Sequence, residues 1–230
     1  MNAKGGDKER HEIKFAAYET SYDDLKKWLL LHPAAFISAY PKRIVNNIYF
    51  DTWEYRAFSE NLAGISERSK LRYRWYGESE GPVSGSLEIK KKRNFFGWKE
   101  RFRIDSDIWY PGLPWSKVLS RLKSVLPIAG QLWLHQNPMP VMLNRYQREY
   151  FCTADGLIRA TIDTNQKVFD QRHGSRPNFL KEAIMQKTMV IEFKFAREDR
   201  QSAVDLLSTI PIRVGRHSKY MNAVRSISMV

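Results

Sequence analysis

The sequence predicts an α+β fold built around one antiparallel β structure, and three observations predict it. Short segments alternate apolar and polar side chains, the period of a strand with one buried face. Gly, Pro and Asp-Gly mark the joins between successive segments, as in hairpins. Helical spacing of apolar residues is confined to the chain ends and one insertion.

Taken in order, residues 1–9 are polar and read as a flexible N-terminus. RHEIKFAA (10–17) alternates and reads as a strand. SYDDLKKWLLL (21–31) has helical spacing, with Thr20 or Ser21 as its cap. KRIVNNIYFD (42–51) is a second strand, and TWEYRAFSENLAG (52–64) a short helix ending near Gly64. SKLRYRWYG (69–77), SLEIKKKR (86–93) and WKERFRID (98–105) form three strands in hairpin series, joined through ESEGPVSG (78–85) and NFFG (94–97). Residues 111–140 carry several prolines and the helical piece WSKVLSRLKSVL (115–126), a helical insertion outside the sheet. Strands resume at 141–154 and 157–169, around the hairpin signal Asp155-Gly156. Residues 170–186 read as a basic surface loop, TMVIEFKFA (188–196) as the last strand, and 198–210 and 217–227 as closing helices. No domain boundary, repeat or low-complexity tract interrupts residues 10–230, which read as a single domain.

The 230 residues are 43% hydrophobic, enough for a real core, and the formal net charge is +13. Such a charge calls for an anionic partner: nucleic acid, an acidic membrane surface or a phosphorylated small substrate. The lone cysteine, Cys152, excludes an intramolecular disulfide and reads as a small strand residue rather than a nucleophile. The opening MNAKGGDKER resembles no signal peptide, and WLLL (28–31) stops at His32-Pro33, far short of a membrane span. The expectation is a soluble, cytoplasmic protein. Peripheral attachment at the inner face of a membrane, through a membrane-protein partner, stays open.

The alternation is chemically uniform from strand to strand. Lys70, Arg72, Arg74 and Tyr76 share one face of their strand, and Leu71, Tyr73 and Trp75 the other. Lys99, Arg101 and Arg103 oppose Trp98, Phe102 and Ile104, with Glu100 on the apolar side. Glu12 and Lys14 oppose Ile13 and Phe15; Glu88, Lys90 and Lys92 share a face; Arg148 lines up with Tyr146 and Tyr150. Arg159, Thr161 and Asp163 oppose Ile158, Ala160 and Ile162, and Glu192 and Lys194 oppose Ile191, Phe193 and Phe195. A half-buried sheet with a solvated polar face explains one such strand. Repetition over most of the strands does not fit it, because like charges directly opposite one another destabilise a sheet. A bound polyanion offsets that cost. If the sheet closes into a barrel, the charged faces line its interior and the apolar faces pack outward under helices, inverting the usual small barrel.

The acids recur in one pattern: Glu12-x-Lys14, Glu88-x-Lys90 and Glu192-x-Lys194. A carboxylate cluster holding Mn²⁺ or Mg²⁺, with phosphates on the adjoining lysines, is one reading. Local salt bridging that makes the cationic face tolerable is the other. The histidines and Cys152 make no zinc spacing, and there is no Walker loop, Rossmann glycine fingerprint or G-x-S-x-G. Phosphates would therefore be gripped by side chains.

YFD (49–51), LRYRWYG (71–77), LEIKKKR (87–93), KERF (99–102), NRYQREYF (144–151), RATIDT (159–164), VIEFKF (190–195) and HSKY (217–220), in this order, resemble the VTC (vacuolar transporter chaperone) catalytic domain. That domain is the polyphosphate polymerase branch of the triphosphate tunnel metalloenzymes, or CYTH-like proteins. The resemblance implies an eight-stranded antiparallel β-barrel, the triphosphate tunnel, over residues from about 10 to 225. It implies phosphate contacts from Lys14, Arg72, Arg74, Lys90, Lys99, Arg148, Arg159, Lys194 and Lys219. Arg101 lies on the same cationic face, and Arg216 and Ser218 belong to the closing basic segment. Glu192 matches the metal-binding glutamate, with Glu12 and Glu88 the further candidates. The implied reaction moves the γ-phosphate of ATP onto inorganic polyphosphate and releases ADP.

Three departures from the relatives stand out. The hydrolase branch opens with E-x-E-x-K, where this chain has Arg10-His11-Glu12-Ile13-Lys14, and fewer acids favour polymerase. The polymerases carry an arginine shortly after YFD, where this chain has Asn61, with Arg56, Arg68 or Lys70 as candidate replacements. No phosphate-sensing SPX domain is seen, so regulation by that route is not expected. A tunnel hydrolase of tripolyphosphate or nucleoside triphosphates, and a catalytically weak polyanion-binding module, are the alternatives. Nucleic acid is not the expected partner, because the aromatics fall mostly on faces opposite the charges, whereas stacking platforms need them beside the cations.

Overall fold

The computed structural model describes residues 10–78, 84–94, 96–110, 112–213 and 218–228. The flexible N-terminus expected for 1–9, Arg216, and most of the turn at 78–85 lie outside the described residues. The strands are β1 (Arg10–Tyr18), β2 (Ile37–Asp51), β3 (Glu67–Tyr76), β4 (Gly85–Arg93), β5 (Phe96–Ile104), β6 (Met139–Cys152), β7 (Arg159–Asp170) and β8 (Thr188–Ala196). They form one eight-stranded sheet in the order β1-β8-β7-β6-β2-β3-β4-β5. The pairings β1–β8, β2–β3, β3–β4, β4–β5 and β7–β8 are all antiparallel. The helices are α1 (Tyr22–Leu31), α2 (Arg56–Leu62), α3 (Trp115–Val125), α4 (Ile128–Gln136), α5 (Arg200–Leu207) and α6 (Lys219–Ser228). The α+β class, the eight antiparallel strands and the helical insertion are as the sequence predicts.

The described residues divide into two compact units. Among the described residues, the first draws on 10–43, 147–166 and 186–213, and the second on those within 44–146, 167–185 and 218–228. The sequence shows no boundary because β2, β6 and β7 each run without a break through a junction.

In the first unit, Phe15 of β1 and Ile191 and Phe193 of β8 are buried with Leu25 and Leu29 of α1 and Leu206 of α5. Helix α1 stops where His32 turns extended ahead of Pro33, the conformation that a following proline imposes. Strand β2 begins at Ile37, earlier than the expected Lys42. Residues 37–43 are mostly exposed and include Pro41, so they show no apolar alternation to read.

In the second unit, Leu71, Tyr73 and Trp75 of β3 are buried against Trp115, Val118 and Leu122 of α3. These α3 positions recur at helical spacing, so one face of the insertion covers the apolar side of the sheet. A side chain at Gly85 would put its Cβ 2.4 Å from the Arg74 carbonyl oxygen, so β4 can start there only with glycine. Strand β5, last in the sheet order, departs from the expectation of outer faces under helices: Phe96 and Trp98 are exposed. Helix α2 is capped from a distance. The Asp51 carboxylate accepts hydrogen bonds from the backbone N–H groups of Ala57 (2.9 Å) and Phe58 (3.3 Å), and from the Tyr220 hydroxyl of α6. The aspartate of YFD thus serves the fold.

Candidate functional site

Strand register assembles the cationic cluster of the second unit. Across β2, β3, β4 and β5 one row reads Tyr49, Arg72, Glu88, Arg101. The next row on that face reads Lys70, Lys90, Lys99 across β3, β4 and β5. On the other side stand Asn47, Arg74, Ser86 and Arg103.

Glu88 is the hub of this cluster. Arg72 donates Nε (2.9 Å) and Nη2 (2.7 Å) to Glu88 Oε2, and Nη1 to the Tyr49 hydroxyl (3.2 Å). Arg74 donates Nε to Asn47 Oδ1 (2.8 Å) and places Nη1 3.8 Å from Glu88 Oε2. Lys99 Nζ and Arg101 Nε lie 3.4 and 3.9 Å from Glu88 Oε1. Burial alone would raise the Glu88 pKa, but Arg72, Arg74 and Lys99 overturn that and hold it down at about 2. Burial would likewise raise the Tyr49 hydroxyl, yet the charges of Arg72 and Arg74 leave it below the usual tyrosine value. Two guanidinium groups are therefore fixed in orientation before any ligand arrives.

The closing helix adds to the same cluster. Lys219 Nζ lies 4.8 Å from the centre of the Tyr146 ring. Lys70 donates to Ser218 Oγ (3.1 Å) and sits over the Tyr220 ring. Of the candidates to replace the arginine missing at Asn61, Arg56 is tied to Glu60 along α2 and Arg68 donates to the Ile65 carbonyl. Lys70, by its contacts to Ser218 and Tyr220, meets the closing segment.

The first unit holds a second cluster. Glu12, Lys194 and Arg159 form one row across β1, β8 and β7, and Lys14, Glu192 and Thr161 the next. Lys14 Nζ contacts Glu12 and lies 3.5 Å from Glu192 Oε2. Lys194 Nζ lies 2.5 Å from Glu192 Oε1 and 3.9 Å from Glu12 Oε2. Burial opposes ionisation of Glu192, but Lys194 and Lys14 outweigh it and hold the carboxyl well below the ordinary range. The Lys14 ammonium, for its part, is disfavoured by burial and held up by Glu192 and Glu12. Arg148 grips Asp163 bidentately, Nε to Oδ1 at 2.6 Å and Nη2 to Oδ2 at 2.7 Å, and Asp163 is buried.

Of the three candidate metal-binding glutamates, Glu12 and Glu192 belong to the first unit and Glu88 to the second. Among the described residues no group of three or more His, Cys, Asp or Glu is placed to hold a metal ion. Among these residues Glu88 has four cations within 4 Å of its carboxylate, Arg72, Arg74, Lys99 and Arg101, against two lysines for Glu12 and Glu192. Glu12 and Glu192 do come together around Lys14 and Lys194. Two carboxylates suit Mg²⁺ or Mn²⁺, which take a few protein oxygens and complete their shell with water and substrate phosphate. Lys90, Lys99, Arg101 and Arg159 are exposed on these faces.

Several contributors escape sequence reading. Asn47 and Asp163 orient arginines, and Tyr49 and Tyr220 stand among the cations rather than opposite them. Strand parity would have put Asn47 and Tyr49 on the face of Arg74 and Arg72, but only once the β2–β3 register is known.

A family model described as VTC domain matches residues 9–228. No curated protein matches the chain. Among solved structures, one from Vibrio parahaemolyticus, described as a candidate adenylate cyclase, superposes with a TM-score of 0.49 at 12% identity, covering 92% of this chain and 95% of that one. Among the described residues no helix is long and apolar enough to cross a membrane.

Proposed function

The chain belongs to the VTC domain family, and on that premise we propose that it is an ATP-dependent polyphosphate polymerase. A terminal oxygen of inorganic polyphosphate attacks the γ-phosphorus of ATP. The bond from that phosphorus to the β–γ bridging oxygen breaks, and its electron pair leaves with ADP. The observation that carries this reading is the row Lys70, Lys90, Lys99 beside the row Arg72, Glu88, Arg101. Cations placed directly opposite one another repel, and a chain of phosphates is a ligand whose repeated negative charge offsets that repulsion.

The acceptor is already an oxyanion, so no protein base has to activate it. Positioning and charge neutralisation then carry the reaction. Arg72, held by Glu88 and Tyr49, and Arg148, held by Asp163, present guanidinium groups in fixed orientations. Lys14 and Lys194 supply ammonium groups beside Glu192, and Lys99, Arg101, Ser218 and Lys219 extend the grip on phosphate. Glu192 and Glu12 would hold Mn²⁺ or Mg²⁺, which when bound supplies further neutralisation of phosphate oxygens.

Purified protein incubated with ATP and Mn²⁺ is expected to yield ADP and phosphate chains, read by ³¹P NMR and gel electrophoresis. Orthophosphate as the sole product would overturn the polymerase in favour of a tunnel hydrolase. Tight polyphosphate binding without turnover would leave a polyanion-binding module.

A further inference from the structure

The charged face of β6 continues past Arg148. Tyr150 lies two residues further on, about 7 Å along the strand and on the same face. Glu149, between them, turns the other way and accepts hydrogen bonds from Tyr22 and Lys26. Tyr150 meets Tyr40 of β2 edge to face, with ring centroids 5.7 Å apart and an interplanar angle of 83°. The Arg43 guanidinium lies over both rings, 5.8 Å from Tyr40 and 5.9 Å from Tyr150. Accessibility separates Tyr40 from the tyrosines that stand within the cationic cluster of the second unit. Tyr49, Tyr146 and Tyr220 are 6%, 1% and 2% exposed, whereas Tyr40 is 59% exposed.

We propose that Tyr40, Tyr150 and Arg43 form a nucleoside subsite, in which the base of the nucleotide donor stacks on Tyr40 while Arg148 faces its phosphates. The inference rests on the nucleotide-dependent reading above and adds what distinguishes the donor from the polymer. Polyphosphate has no group that stacks, so an exposed ring held in place by a guanidinium contributes only to a ligand carrying a base. Stacking on an aromatic face or a guanidinium plane reads no hydrogen-bond pattern, so the subsite accepts purines without discriminating adenine from guanine.

The test is calorimetric titration in metal-free buffer, where turnover is suppressed, with ATP, GTP and tripolyphosphate as probes. Tyr40→Ala is expected to weaken ATP binding about tenfold or more, the scale of one lost base-stacking contact. Tripolyphosphate affinity should stay within about twofold of wild type, and Tyr40→Phe should bind ATP as wild type does. Wild type should bind GTP and ATP within about threefold of each other. Equal loss of ATP and tripolyphosphate in Tyr40→Ala, or no loss of ATP, overturns the subsite. A wild-type protein that binds ATP but forms no phosphate chains overturns the polymerase reading and leaves this comparison intact.

Discussion

Arg72 delivers two hydrogen bonds to a single oxygen of Glu88, a residue that is only 2% exposed. Arg74, Lys99 and Arg101 crowd the same carboxylate. Removing that charge leaves buried guanidinium groups without compensation. Glu88→Gln should cost about 3 kcal/mol of stability or more, the scale for breaking one side of a buried ion pair. Urea unfolding measures this directly. Tripolyphosphate should raise the thermal midpoint of the variant more than that of wild type, since the ligand replaces the missing counter-charge. Unchanged stability in Glu88→Gln would show that the arginines are solvated rather than held.

The same carboxylate sets an acid limit. Its pKa in the folded protein is about 2, against roughly 4.3 in an unfolded chain. A group with a depressed folded pKa stabilises the protein fully above the unfolded value and loses that contribution as pH falls toward the folded one. Wild type should therefore lose stability steeply between about pH 4.5 and 2. Glu192, also held low by Lys194 and Lys14, adds to the slope in both proteins. The difference between wild type and Glu88→Gln isolates Glu88, and it should shrink as the pH falls through this window. Parallel curves of thermal midpoint against pH would refute the assignment.

Lys70 offers a way to test how this chain manages with Asn61. Its Nζ reaches Ser218 and Tyr220, while Arg56 stays paired with Glu60 on α2. Lys70→Ala should reduce kcat/KM for chain synthesis by roughly tenfold to a hundredfold, the value of one hydrogen-bonded charge. Arg56→Ala should change it by less than about twofold, as expected for an exposed helix pair. A larger loss from Arg56 than from Lys70 would reverse the roles.

Strand periodicity made most of this fold legible. Alternation identified the strands, and proline and glycine marked the insertion and the hairpins. Lys14, Arg72, Arg74, Lys194 and Glu192 all fall on the faces that parity assigns them. Partnership was the part that stayed hidden. Glu88 and Lys90 look like a local pair, yet register hands Glu88 to Arg72 and Arg101 on neighbouring strands. Asp163 belongs to Arg148, and Asn47 to Arg74, through contacts that cross the sheet. Such pairs depend on which strands adjoin and in what register, and neither follows from the period of one strand. Strand β2 escaped at its start because residues 37–43 lack a buried face.

Glu192 and Glu12 carry the remaining prediction. They are the two carboxylates that meet around Lys14 and Lys194, and they can provide oxygen ligands while substrate phosphate completes the shell. Mn²⁺ titrated in the presence of tripolyphosphate, followed by electron paramagnetic resonance of the free ion, should show binding to wild type. Glu192→Gln should weaken that binding about tenfold or more, the scale on which metal-site side chains act. It should also remove the Mn²⁺ dependence of the thermal midpoint. Glu88→Gln, whose carboxylate is occupied by arginines, should retain Mn²⁺ binding at 20 °C, where the folded protein persists. Loss of Mn²⁺ binding in Glu88→Gln with retention in Glu192→Gln would move the metal to the other cluster.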